Sequence, residues 1–101
     1  MQLTKEQFIC DLSEQRRYEY IYEVLTPDGK VVLRQYANAA SVLVRDDAQK
    51  IEIKAERFMD SNLVHIVECQ YIQEINKTTT GQQNTYVIAF ETSRISLTTT
   101  F

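Results

Sequence analysis

A chain of 101 residues, 44% hydrophobic and 25% charged, has room for one core and no second domain, and this is the balance of a folded rather than a disordered protein. Its formal charge of −3 offers no overall attraction for phosphate backbones or anionic lipid. Two cysteines, one histidine and two glycines exclude a disulfide framework, a multi-ligand zinc centre and a glycine-rich phosphate loop.

The first residues predict a helix. Thr4 followed by Gln7 forms a capping box, with Leu3 and Phe8 in the positions of a hydrophobic staple. Phe8, Ile9 and Leu12 then fall on one side as far as about Gln15, and Arg16 and Arg17 suit the negative C-terminal end. So short a helix is marginal alone and must rest its apolar stripe on something else. The segment has no basic stretch followed by an apolar h-region, and no apolar run in the chain approaches the roughly 20 residues that span a bilayer. A cytoplasmic protein without membrane contact is expected.

From Tyr18 the period becomes two. Tyr18, Tyr20, Tyr22 and Val24 share one face of a strand, with Glu19, Ile21, Glu23 and Leu25 on the other. Pro27 pre-sets φ and Gly29 tolerates positive φ, so Thr26 to Lys30 reads as a turn before a return strand from Val31 to about Ala37. Ser41 to Arg45, the polar 46–49 and the alternating Lys50 to Glu56 predict a second hairpin, with Ile51, Ile53 and Ala55 facing inward. Leu63 to Ile72 is rich in β-branched residues and reads as a strand, although Val64, Val67, Tyr71 and Ile75 also fit a helical period. Thr78 to Asn84 reads as a polar loop, Thr85 to Phe90 as a strand, and Ile95 to Phe101 alternates in the opposite phase, which calls for a bulge or break near Thr92 to Arg94. The fold class is α+β: a short N-terminal helix packed on a curved antiparallel β-sheet, a meander of five to seven strands forming one domain over residues 1–101.

Catalytic and metal-binding signatures are missing, so no catalytic residue, metal ligand or cofactor is assigned. His65 stands in an apolar strand without a companion ligand or nucleophile, and packing is the simpler account. Cys10 and Cys69 read as small buried apolar residues. Asp28, Asp46 and Asp47 suit backbone hydrogen bonding at turns. The tyrosines offer more. Tyr18, Tyr20 and Tyr22, with Arg34 and Tyr36 on the paired strand, read equally as a sheet-packing face and as a binding or dimer face; a purely core role is awkward because three buried hydroxyls would each need a partner.

Tyr18 to Leu33 with its Pro27-Asp28-Gly29-Lys30 turn, and Lys54-Ala55-Glu56-Arg57 leading to His65-Ile66-Val67, resemble the closing antiparallel strands of PAS-type sensor domains over about half of the chain. The resemblance implies a ligand-enclosing sensor. The strand pair after Ala37 and the Thr-rich C-terminal strand depart from that pattern, and its helical first half is mostly missing.

The expected function is therefore a non-catalytic interaction or regulatory domain, acting on a protein partner or a second copy of itself through an aromatic-rich sheet face or an edge strand. The alternative is a small-molecule sensor or carrier with a pocket between helix and sheet, lined by residues such as Tyr20, Tyr22, Phe58, Tyr86 and Phe90. A third reading is an acidic inhibitor of a nucleic-acid enzyme. Direct nucleic-acid binding through Arg16, Arg17, Arg34 and the tyrosines is disfavoured by the net charge.

Overall fold

A computed structural model describes residues 1–12, 17–45, 47–56 and 62–100. The helix α1 (Lys5–Leu12) is followed by β1 (Tyr18–Leu25), β2 (Val31–Arg45), β3 (Lys50–Glu56) and β4 (Asn62–Glu68). A 3₁₀ turn (Cys69–Tyr71) then leads to β5 (Glu74–Thr80), β6 (Gln83–Ala89) and β7 (Ser93–Thr100). All pairings are antiparallel and the seven strands form one sheet in the order β4-β3-β2-β1-β7-β6-β5. Two meanders thus meet where β1 pairs with β7.

The first strand and the last three return to each other across the sheet, and this forces curvature. Laid flat, seven strands would hold β4 and β5 about 29 Å apart at roughly 4.8 Å per strand. Residues 69–73 alone join Glu68 to Glu74, and a connection containing a helical turn reaches no more than about 20 Å. The sheet therefore curls toward a barrel that stays unclosed between β4 and β5.

The concave side holds the core. Phe8 and Leu12 of α1 join Tyr18, Tyr20, Ile51, Ile53, Ile88, Ile95 and Leu97 in one buried cluster, each large side chain contributing roughly 1.5–3 kcal/mol when fully removed from water. The capping box forms as its residues predict: Gln7 N donates to Thr4 Oγ1 at 3.1 Å and Thr4 N to Gln7 Oε1 at 2.9 Å. Leu3 and Phe8 are both buried. The far end of α1 is held by Asp11, which accepts from the Tyr86 hydroxyl at 2.8 Å and from Lys77 Nζ at 3.0 Å. The stretch predicted to continue the helix to Gln15, and Arg16 after it, lie outside the described residues.

The Thr26–Lys30 turn also forms as expected. Gly29 takes φ +90 and donates to Thr26 O at 2.9 Å, and Thr26 N reaches Lys30 O at 2.8 Å. The Thr26 hydroxyl donates to Asp28, which suits a turn role for that carboxylate.

Four local expectations change. The return strand and the first arm of the second hairpin are one strand, β2, because Tyr20 pairs with Ala37 and Tyr18 with Ala40. Between those pairs residues 38 and 39 oppose Glu19 alone, and this bulge switches the inward phase from Ala37 to Val42, both buried. The segment from Leu63 leaves the strand at Glu68, where the 3₁₀ turn begins the crossing to the other edge. Thr78 to Asn84 is not a loop but the hairpin of β5 and β6. Gly81 at φ +60 lets a two-residue connection suffice, and the threonines serve as β-branched strand residues with cross-strand bonds such as Thr79 Oγ1 to Asn84 Oδ1 at 2.7 Å. The phase slip near Thr92 is a turn between β6 and β7.

Candidate functional site

β4 is a sheet edge, pairing with β3 on one side only among the described residues. Beside it lies an open groove of about 330 Å³ lined by Tyr22, His65, Ile66, Val67, Glu68, Tyr71, Phe90 and Ser93. Side chains of successive strand residues alternate between faces, yet four successive residues, His65 to Glu68, border the groove. A groove bordered in that way runs along the strand's edge rather than over one of its faces.

His65 forms the floor. It is half-buried, its Nδ1 lies 2.8 Å from the Tyr20 hydroxyl, and its ring meets Tyr22 edge-on at 4.9 Å between centroids. Burial holds its pKa below the ordinary 6.5. Two tautomers satisfy the pair with Tyr20. If the hydroxyl donates, Nε2 carries the proton into the groove, and if Nδ1 donates, Nε2 presents a lone pair there. Either way the ring is neutral near pH 7.

Among the described residues, Glu68 is the one with a formal charge in that lining. Its carboxylate accepts only a long, weak hydrogen bond from Gln70 Nε2, at 3.4 Å, and enters no ion pair among the described residues. Lys5 and Lys50 border an adjoining depression on the far side of Glu68 and do not line the groove. Tyr71, on the 3₁₀ turn, is largely exposed, whereas Tyr22 and Phe90 are half-buried.

The five residues expected to make one binding face are not brought together. Tyr18 and Tyr20 are buried on the concave side and only Tyr22 reaches the groove. Arg34 and Tyr36 project from the convex side, because they pair with Glu23 and Ile21, the other phase of β1. The buried hydroxyls do find partners: His65 for Tyr20, and Asp11 for Tyr86. On the convex side Arg34 Nη2 and Arg94 Nε each reach Glu23 at 2.7 Å. These hydrogen bonds hold the Glu23 pKa below the usual carboxylate value despite its burial.

Of the residues expected to line a pocket between helix and sheet, Tyr22 and Phe90 border the groove, Tyr20 and Tyr86 are core, and Phe58 lies outside the described residues. Cys69 is buried and burial raises its thiol pKa, but Cys10 is exposed, since it falls off the apolar stripe of α1. Among the described residues no group of three or more His, Cys, Asp or Glu could hold a metal ion, and no helix is long and apolar enough to cross a membrane. The sequence contained the groove's signal only in part. Tyr71 and Glu68 are unremarkable until the 3₁₀ turn sets them beside Phe90 and Ser93.

Comparison of the chain with family models, curated proteins and solved structures finds no match.

Proposed function

We propose that this is a non-catalytic interaction domain that receives an extended segment of a partner protein along β4. One observation supports the reading above the others: the unpaired edge of β4 borders a groove with aromatic walls. An edge supplies main-chain hydrogen bonds to an added strand, and adjacent pockets select alternate side chains of it. A carrier of small molecules has less support among the described residues. Tyr20, Phe8, Ile51, Ile53, Ile88, Ile95 and Leu97 are fully buried, and the groove beside β4 is open rather than enclosed. An acidic inhibitor has less support still, since Glu23, Glu52 and Asp11 are each bound to cationic side chains rather than massed on a surface. The reading assumes a reducing cytoplasm, which suits two cysteines that form no disulfide with each other.

The test is to select extended peptides from a displayed random library and map them by amide NMR. Shifts centred on residues 65–71 and 90–93, with slowed exchange of β4 amides, are expected. Selected peptides that perturb only the convex face would overturn the proposal.

Self-association is a second reading, favoured by a separate feature. Among the described residues, positions 31–38 of β2 pair with β1 alone, because the described part of β3 meets β2 only from Ala39 onward. Val32 and Tyr36 there are 62% and 57% exposed. A second copy aligned antiparallel on this segment would bury both. Sedimentation should show concentration-dependent dimers that Val32→Lys abolishes, and a strict monomer at high concentration would remove the reading.

A further inference from the structure

We propose that the groove beside β4 selects a cation, so that the extended segment it receives carries a lysine or arginine side chain lying between Tyr22, Tyr71 and Phe90 and reaching Glu68. The inference rests on the peptide-binding reading above and adds the chemistry of the residue recognised.

Charge decides the class of occupant. None of the nine lysines and arginines among the described residues lines the groove, and Glu68 is the described charged group that does. The basic residue closest in sequence to the lining, Arg94, follows Ser93 on β7. Strand alternation turns it to the convex side, where Glu23 binds it. His65 adds no positive charge near neutrality. An anionic side chain would therefore meet Glu68 with no cation among the described lining residues; Lys50, the cross-strand partner of Glu68, borders the adjoining depression instead. An aliphatic one would strip water from Glu68 and from Nε2 of His65 and give neither a partner, which leaves buried polar groups unsatisfied.

A cation gives the carboxylate its partner. Its stem covers apolar wall from Ile66 and Val67, and its charged head meets the carboxylate and the aromatic rings. The chain already uses this chemistry elsewhere: Lys77 Nζ sits 5.5 Å from the centroid of Tyr86 while bonded to Asp11.

The experiment uses three blocked peptides, Thr-Val-Lys-Val-Thr and its counterparts with glutamate or norleucine at the centre, titrated into the isotope-labelled protein to millimolar concentration. The lysine peptide should bind about tenfold more tightly than the norleucine peptide and more tightly still than the glutamate one. Glu68→Gln should reduce that preference to about twofold or less, and Tyr71→Ala, at an exposed site where folding is not at risk, should weaken the lysine peptide several-fold. Equal binding of all three, or an unchanged preference in Glu68→Gln, overturns the cation proposal and leaves the peptide reading standing. No shift at residues 65–71 with any peptide overturns both. Benzyltrimethylammonium binding as tightly as the lysine peptide would show a small-cation site in place of a peptide one.

Discussion

The Tyr20 hydroxyl lies 2.8 Å from Nδ1 of His65, a contact between β1 and β4 that spans 45 positions in sequence. Neither strand pairs with the other, since β2 and β3 stand between them in the sheet. The bond therefore crosses the concave side and ties the edge strand to the centre of the core. Tyr20→Phe should leave the imidazole nitrogen unpartnered and cost about 1–2 kcal/mol in urea unfolding. Exchange of β4 amides should rise more than that of β6 amides.

The chain's only histidine also gives a pH signature. Burial lowers its folded pKa below 6.5, so on acidification the unfolded chain takes up a proton before the folded one. The stability from a neutral His65 is complete above pH 6.5 and is lost as pH falls from there toward the folded value. A single imidazole NMR signal titrating below 6.5 would confirm this. The corresponding slope of stability should be missing in His65→Gln.

Glu23 acts at lower pH. Its pKa is depressed by hydrogen bonds from Arg94 and Arg34, so the stability it contributes is full above about pH 4.5 and is lost as pH drops through the folded value. The carboxylate is buried while the two guanidinium groups are 40% and 61% exposed, which discounts the ion pairs for screening. Glu23→Gln should therefore cost about 1–2 kcal/mol at pH 7. Stability curves of mutant and parent should converge as pH falls through the folded value.

Exchanges between alanine and glycine should have opposite signs at two turns. Ala48 adopts φ +69, where Cβ is strained, so Ala48→Gly should stabilise by roughly 0.5–1 kcal/mol. Gly29 adopts φ +90, and an added Cβ would meet nothing within 4 Å, so the penalty of Gly29→Ala is conformational alone. It should destabilise by about 1 kcal/mol or more, read as a lower urea midpoint at unchanged slope.

At the helix, Asp11→Ala should release α1 from β5 and β6 by removing the acceptor of Tyr86 and Lys77. Eight residues are too few to persist as a helix unaided. Amides 8–12 should exchange faster, with a loss of about 1–3 kcal/mol. Thr4→Ala should cost about 1 kcal/mol at the other end, and the two losses should be less than additive because both act on one short helix.

The amino-acid order by itself determined whatever neighbours in sequence decide: the capping box of Thr4 and Gln7, the turn that needs Gly29, and the inward phase of Tyr18, Tyr20, Ile51 and Ile53. Each follows from backbone stereochemistry or from side chains two to four positions apart. Only the tertiary structure decided that β2 runs unbroken through a bulge and that Arg34 and Tyr36 face away from the tyrosines of β1. It alone set His65 under Tyr20 and Glu68 beside Tyr71 and Phe90. The reason is that curling a seven-stranded sheet, and choosing which two edges stay apart, depends on pairing between residues tens of positions distant, and such pairing leaves no periodic mark in the chain.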